Sequence, residues 1–246
     1  MLTVINETTG CLICGRPLAY LAYAADRICT LCGAHVASTA ICESGHFVCD
    51  RCHSASANEI IERSANESTS TDPMEIAVQI LQSPALHMHG PEHHFLVPAV
   101  LLAAHDNRHH RPQAKVDHLR EARRRAQKVP GGFCGTHGDC GAAVGTGIFW
   151  SIVTEATPLS RDAWAQAHRM TAHSLLRVAD HGGPRCCKRD TFLAIQQAVL
   201  DVEQIEGSAW PCRTAKCRHS SHNRQCRGAE CPFFSTAPEP SPLECA

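Results

Sequence analysis

The sequence predicts a mainly α fold: a helical, cysteine-ligated domain flanked by small cysteine-rich modules that a metal orders. Three observations lead there. The middle of the chain is rich in alanine, while aromatics make up only 5% of the whole. Its apolar residues recur at helical spacing between glycine and proline breaks, which favours small-residue helix packing over a sandwich. Cysteine is the outlier, at 16 residues beside 17 histidines. Finally, the cysteines near the N-terminus pair as Cys-x2-Cys, a spacing that turns two thiolates toward one ion.

Composition narrows the functional classes. The formal net charge is −1 over 246 residues, so no nucleic-acid or membrane partner is expected. The opening MLTVINETTG has no basic region followed by an apolar core, and no apolar run approaches a membrane span. The expectation is a cytoplasmic chain whose thiols bind metal rather than form disulfides. The expected division is a zinc-binding module over 1–54, a linker over 55–71, a helical domain over 72–207, a four-cysteine metal-binding segment over 208–234 and a disordered tail over 235–246.

The first module carries Cys11, Cys14, Cys29, Cys32, Cys42, His46, Cys49 and Cys52 as four ligand pairs, enough for two tetrahedral zinc ions. Gly15 and Gly33 follow two of the knuckles, where their amides can face sulfur. Two pairings fit. Sequentially, Cys11, Cys14, Cys29 and Cys32 hold one ion and Cys42, His46, Cys49 and Cys52 the other. Interleaved, Cys29, Cys32, Cys49 and Cys52 form one site and Cys11, Cys14, Cys42 and His46 the second. The run from Cys29 through GHFVCDRC resembles the first part of a RING-type, treble-clef cross-brace, which favours the interleaved pairing. The usual last cysteine pair is missing downstream, and Cys11 and Cys14 stand upstream in its place. The resemblance implies the geometry, not ubiquitin-ligase activity.

The polar stretch 54–71 reads as a helix leaving the module and then a linker. Asp72-Pro73 is an N-cap with proline at the first helical position, opening a helix to Leu81. Residues 87–94, HMHGPEHH, place four histidines around Gly90-Pro91. His87, His89, His93 or His94 is expected to reach the cysteine pocket as ligand or proton donor, His93 foremost, since imidazole titrates near neutrality. An apolar helix follows, then HDNRHHR, which reads as a solvated turn. Residues 112–128 form a charged helix with Val116, Leu119 and Ala122 or Ala126 inward, and Pro130-Gly131-Gly132 ends it.

The central motif is FCGTHGDCGAAVGTG, residues 133–147. Gly141 and Gly145 lie four apart, on one helix face where a helix or a bound cofactor could approach the backbone. Cys140 precedes that helix, where free amides favour a low-pKa thiolate. A second helix over 158–180 ends at Gly182-Gly183-Pro184, and Cys186-Cys187 then open another helix. Cys134, Cys140, Cys186 and Cys187 are read as two halves of one pocket, with Cys140, Cys187 and His93 the expected catalytic residues and Gly141 and Gly145 lining a cofactor. The motif of Cys134, Cys140-Gly141-Ala142-Ala143-Val144-Gly145 and Cys186-Cys187 resembles the redox-type C-GCAxxG-C-C proteins, though Asp139 stands where they have glycine. It is still more similar to the domain of unknown function 5714, sometimes joined to methyltransferase domains. That resemblance implies a helical domain holding an iron–sulfur cluster.

Near the C-terminus, Cys212, Cys217, Cys226 and Cys231 follow a C-x4-C-x8-C-x4-C spacing with little apolar filling. They are expected to bind zinc or a [4Fe–4S] cluster. The sequence thus points to an iron–sulfur or thiol-dependent protein: an oxidoreductase, a sulfur transferase or a lyase. The other reading is a noncatalytic, zinc-ordered adaptor docking onto a partner such as a methyltransferase or radical enzyme.

Overall fold

The computed structural model describes residues 11–14, 16–49, 52 and 56–235. Gly15, Cys245 and the rest of the tail beyond 235 lie outside the described residues. The fold is mainly α, with eight α-helices and one two-stranded sheet among the described residues.

The sheet was not legible as such in the sequence. β1 (Leu18–Ile28) pairs antiparallel with β2 (His35–Cys42), from Leu18 opposite Cys42 to Ile28 opposite His35. The turn between them is the Cys29–Cys32 knuckle itself, with Gly33 at φ 67°, a left-handed conformation that glycine adopts without strain. This small unit has its own core of Cys29, Leu31, Cys49 and Cys52. Three of those four residues are cysteines, so the unit has little apolar material to hold it without an ion.

α1 (Ala57–Glu67) begins with a capping box between Ser56 and Glu59 and buries Ile60, Ile61 and Ala65. This is the helix expected to leave the module, docked on the core and running on to Glu67. α2 (Pro73–Ile80) starts as its sequence implies, the Asp72 carboxylate accepting from the amides of Met74 and Glu75 at 2.9 and 3.1 Å. α3 (Glu92–Arg108) is apolar on nearly every side and is buried from Phe95 to Asp106. It touches α1, α2, α4 (Pro112–Ala126), α6 (Gly141–Val153) and α8 (Cys187–Glu206). The short α5 (Phe133–Thr136) and the long α7 (Asp162–Asp180) complete the set. One continuous core runs from Ile60 to Phe233. The segment after α8 joins it: Phe233 packs edge-on against Phe192 at 5.1 Å, and the Trp210 indole donates to the Thr71 carbonyl at 2.7 Å.

The glycine face of α6 is explained by packing. A Cβ on Gly145 would lie 2.8 Å from the Pro98 ring and 3.0 Å from Val97 Cβ, and one on Gly141 would meet the His94 ring at 2.1 Å. The space expected to admit a cofactor at Gly141 and Gly145 is filled by α3. Gly145→Ala should destabilise the protein by about 1–2 kcal/mol: overpacking costs about 1–3 kcal/mol, and the gain in helix propensity returns at most about 1. A denaturation midpoint that rises instead would show that α3 can yield.

Candidate metal centres

The N-terminal ligands converge in the interleaved arrangement. Cys11, Cys14, Cys42 and His46 form one group and Cys29, Cys32, Cys49 and Cys52 the other, with all ligand atoms of each group within 4.8 Å of one another. The hairpin does the sorting. Its turn carries Cys29 and Cys32, while its open end brings Cys42 to Cys14, sulfur to sulfur at 3.5 Å. Cys29 and Cys52 stand 3.7 Å apart, and Cys32 and Cys49 3.8 Å. A tetrahedral ion with bonds to sulfur of about 2.3 Å sets its sulfurs about 3.8 Å apart. Backbone amides already point at the sulfurs: Ile13 to Cys11 at 3.4 Å, Ser44 to Cys42 at 3.3 Å and Cys49 to Cys29 at 3.4 Å. Burial pushes the Cys11 thiol up to about 11. At Cys29 burial also raises the thiol, but the amides of Cys49, Leu31 and Cys32 outweigh it and bring the value down to about 7. A bound cation replaces the remaining protons. These groups are suited to a metal such as zinc.

In the helical region the thiols divide differently from the sequence expectation. Cys186, Cys217, Cys226 and Cys231 line one small cavity between the start of α8 and the C-terminal segment. Cys212, expected in this set, is not among its lining residues. It sits near Asp72 and Glu203, where burial and those carboxylates push its thiol up to about 12. The knuckle geometry of Cys11 and Cys42 recurs in the ring, the His219 amide donating to Cys217 and the Gly228 amide to Cys226, both at 3.4 Å. Asn223 donates to Cys186 at 3.7 Å. Directly behind the ring is Lys188, 1% exposed. Its ammonium donates to the Leu86 carbonyl at 2.9 Å and has no ion-pair partner within 4 Å among the described residues. Burial brings it down to about 8, while Glu92 and the Cys187, Cys186 and Cys217 sulfurs pull it back up.

Residues 61–234 match the family of unknown function DUF5714. The chain belongs to that family. No curated protein and no solved structure matches the chain significantly. The DUF5714 region therefore takes in the helical core and the four-thiol ring, and the interleaved N-terminal groups precede it.

The DUF5714 region also holds an open cleft of about 1010 Å³, lined by Cys134, Cys140, the glycines around them, the apolar side of α7 and Arg185 and Asp190. Cys187 stands close enough to feel both thiols electrostatically. Of the vicinal pair, Cys186 lines the small cavity, while Cys187 lies outside both linings and is near Cys134 and Cys140. Cys140 caps α6, yet it is not the low-pKa thiolate expected. Burial and Asp190 push it up to about 12, against the opposing amides of Ala143 and Ala142. Burial likewise takes Cys187 up to about 11, although the Gly90 amide faces its sulfur.

His93 is fully enclosed. Its Nδ1 meets the Gly90 carbonyl at 3.1 Å, and burial together with Lys188 holds it well below its usual range. Burial thus favours the neutral imidazole over the protonated form that the expected proton donor would use. The sequence missed a third convergence, His105, His109 and Glu206. HDNRHHR was read as a solvated turn, and Glu206 lies too far along the chain for any spacing to link them.

Proposed function

We propose that this is an iron–sulfur, thiol-bearing redox or sulfur-handling protein. In this reading Cys186, Cys217, Cys226 and Cys231 hold a [4Fe–4S] cluster, Cys134, Cys140 and Cys187 are the working thiols of the cleft, and the N-terminal groups hold zinc. The observation that carries it is that Cys186 lines a small cavity with Cys217, Cys226 and Cys231, beside a substrate-sized cleft that Cys134 and Cys140 line.

The donor set fits such a cluster. Four cysteine thiolates are its usual ligands, and hydrogen bonds to sulfur with burial set its potential. The amides of His219 and Gly228 and the Asn223 side chain supply those bonds. Lys188 is a buried positive charge without an ion-pair partner beside the ring, and a thiolate-ligated cluster is anionic. When bound, the cluster would supply one-electron transfer. On the cleft side α7 offers an apolar wall and Arg185 a positive rim, and the Gly90 amide steadies charge on the nearby Cys187 sulfur.

Anaerobic purification should give a brown protein containing iron and inorganic sulfide, with absorption near 400 nm that dithionite bleaches. Zinc alone, without sulfide, would sink the cluster reading.

A second reading, a zinc-ordered adaptor for a partner enzyme, draws support from the hairpin. Tyr23 is 86% and Ile28 61% exposed there, beside Leu21, an unusually apolar surface for so small a unit. Sulfide-free protein that still co-purifies with an enzyme through this face would favour it.

A further inference from the structure

We propose that His105, His109 and Glu206 form a mononuclear site for a divalent transition ion of the zinc class, with one coordination position open. His105 lies in the last turn of α3 and His109 caps its end, so the four-residue spacing puts both rings on one face, their centroids 4.3 Å apart. Glu206 is the last residue of α8, and Gly207, at φ 68°, turns the chain away behind it. The Glu206 Oε1 atom lies 3.4 Å from His105 Nε2 and 3.6 Å from His109 Nε2. Nitrogen and oxygen ligands bonded at about 2.0–2.1 Å to a tetrahedral ion stand about 3.3 Å from one another. Both separations from Glu206 Oε1 are thus close to the edge of a coordination tetrahedron, and one ligand atom from each of the three residues lies within 4.8 Å of the others.

The buried polar atoms support this. His109 Nε2 and His105 Nδ1 are enclosed without a hydrogen-bond partner, and so is Asp106 Oδ1. His105 Nδ1 lies 3.7 Å from Asp106 Oδ1, while the other Asp106 oxygen accepts from His118 Nδ1 at 2.8 Å. A histidine that ligates a metal through one nitrogen commonly gives its other N–H to a carboxylate, which fixes the tautomer. With Asp106 in that role, His105 Nε2 presents a lone pair to Glu206. Two lone pairs and a carboxylate then converge, and a cation relieves their repulsion. Arg108 does not supply that charge. Its guanidinium is tied to Ser208 Oγ and the Ala209 carbonyl and approaches the far Glu206 oxygen at 4.0 Å.

The rings of Phe149 and Trp210 wall the inner side of His105 at 5.8 and 6.1 Å. The His109 and Glu206 side chains remain 32% and 21% exposed, so this rim of the site is the side nearest solvent. Three protein ligands with one free position form the arrangement in which a bound ion acts as a Lewis acid on water or a carbonyl oxygen. This site is independent of the cysteine centres.

The test uses the full chain, anaerobic, loaded with zinc and then treated with a mild chelator that strips nitrogen- and oxygen-ligated zinc but leaves the cysteine-bound zinc, and titrates it with cobalt(II). One further equivalent should bind, giving visible d–d bands without thiolate-to-cobalt charge transfer. Glu206→Gln and His109→Ala should remove that equivalent and leave cysteine-bound metal and helical circular dichroism unchanged. Asp106→Asn should weaken it about 10–100-fold. The proposal fails if the wild type takes up no extra cobalt, if that cobalt shows charge transfer, or if Glu206→Gln retains it. The first two outcomes do not depend on how any variant folds.

Discussion

Stripping the metal from the full chain with a strong chelator should unfold residues 11–52 and leave the helices standing. Hydrogen exchange resolved by segment would show protection lost across β1 and β2 and kept in α3. The small unit's core is Leu31 and three cysteines, whereas the helical core runs without interruption from Ile60 to Phe233. Structural zinc contributes about 10–16 kcal/mol in units of this kind. That exceeds anything so few apolar side chains supply. Cys29→Ser should have much the same effect as the chelator, because the interleaved pairing threads each ion's ligands through the loops that the other closes. Protection of 11–52 that survives chelation would show that the unit folds without an ion.

The second large effect concerns the ring. With a cluster there, Cys186→Ser should abolish the absorption near 400 nm and the corresponding iron and sulfide. Cys212→Ser should change neither, since that thiol lies beside Asp72 and Glu203, outside the cavity. The comparison is sharp because spacing alone favours Cys212 as a ligand and gives no reason to favour Cys186 over its neighbour. A colourless Cys212→Ser protein beside a brown Cys186→Ser protein would restore the contiguous set and remove the ring.

Much of the architecture was legible in the residues. Asp72-Pro73 announced a helix start, and the apolar run after Phe95 announced the central helix, because caps and periodicity act locally. The interleaved metal-ligand groups were legible as the favoured of two pairings, through the resemblance to a cross-brace. The hairpin that enforces them is signalled only weakly by the apolar run LAYLAYAA. The ring was not legible, because Cys186 reaches Cys217, Cys226 and Cys231 through tertiary packing across thirty or more positions. Cys140 was misjudged for a related reason. Its helix-start amides are visible in sequence, but the burial and the Asp190 carboxylate that outweigh them are not. The glycines of α6 were read correctly as a close-approach face, but which body approaches, α3 or a ligand, is decided only by the fold.

Cys186 caps α8 and Cys187 is its first residue, so one peptide unit joins the ring to the thiol near Cys134 and Cys140. Consecutive Cα atoms are held about 3.8 Å apart by covalent geometry. Any small roll of α8 about its own axis must therefore turn both sulfurs together, like two spokes on one hub. A ligand that shifts α8 by binding near Cys187 would retune the surroundings of Cys186 in the same movement.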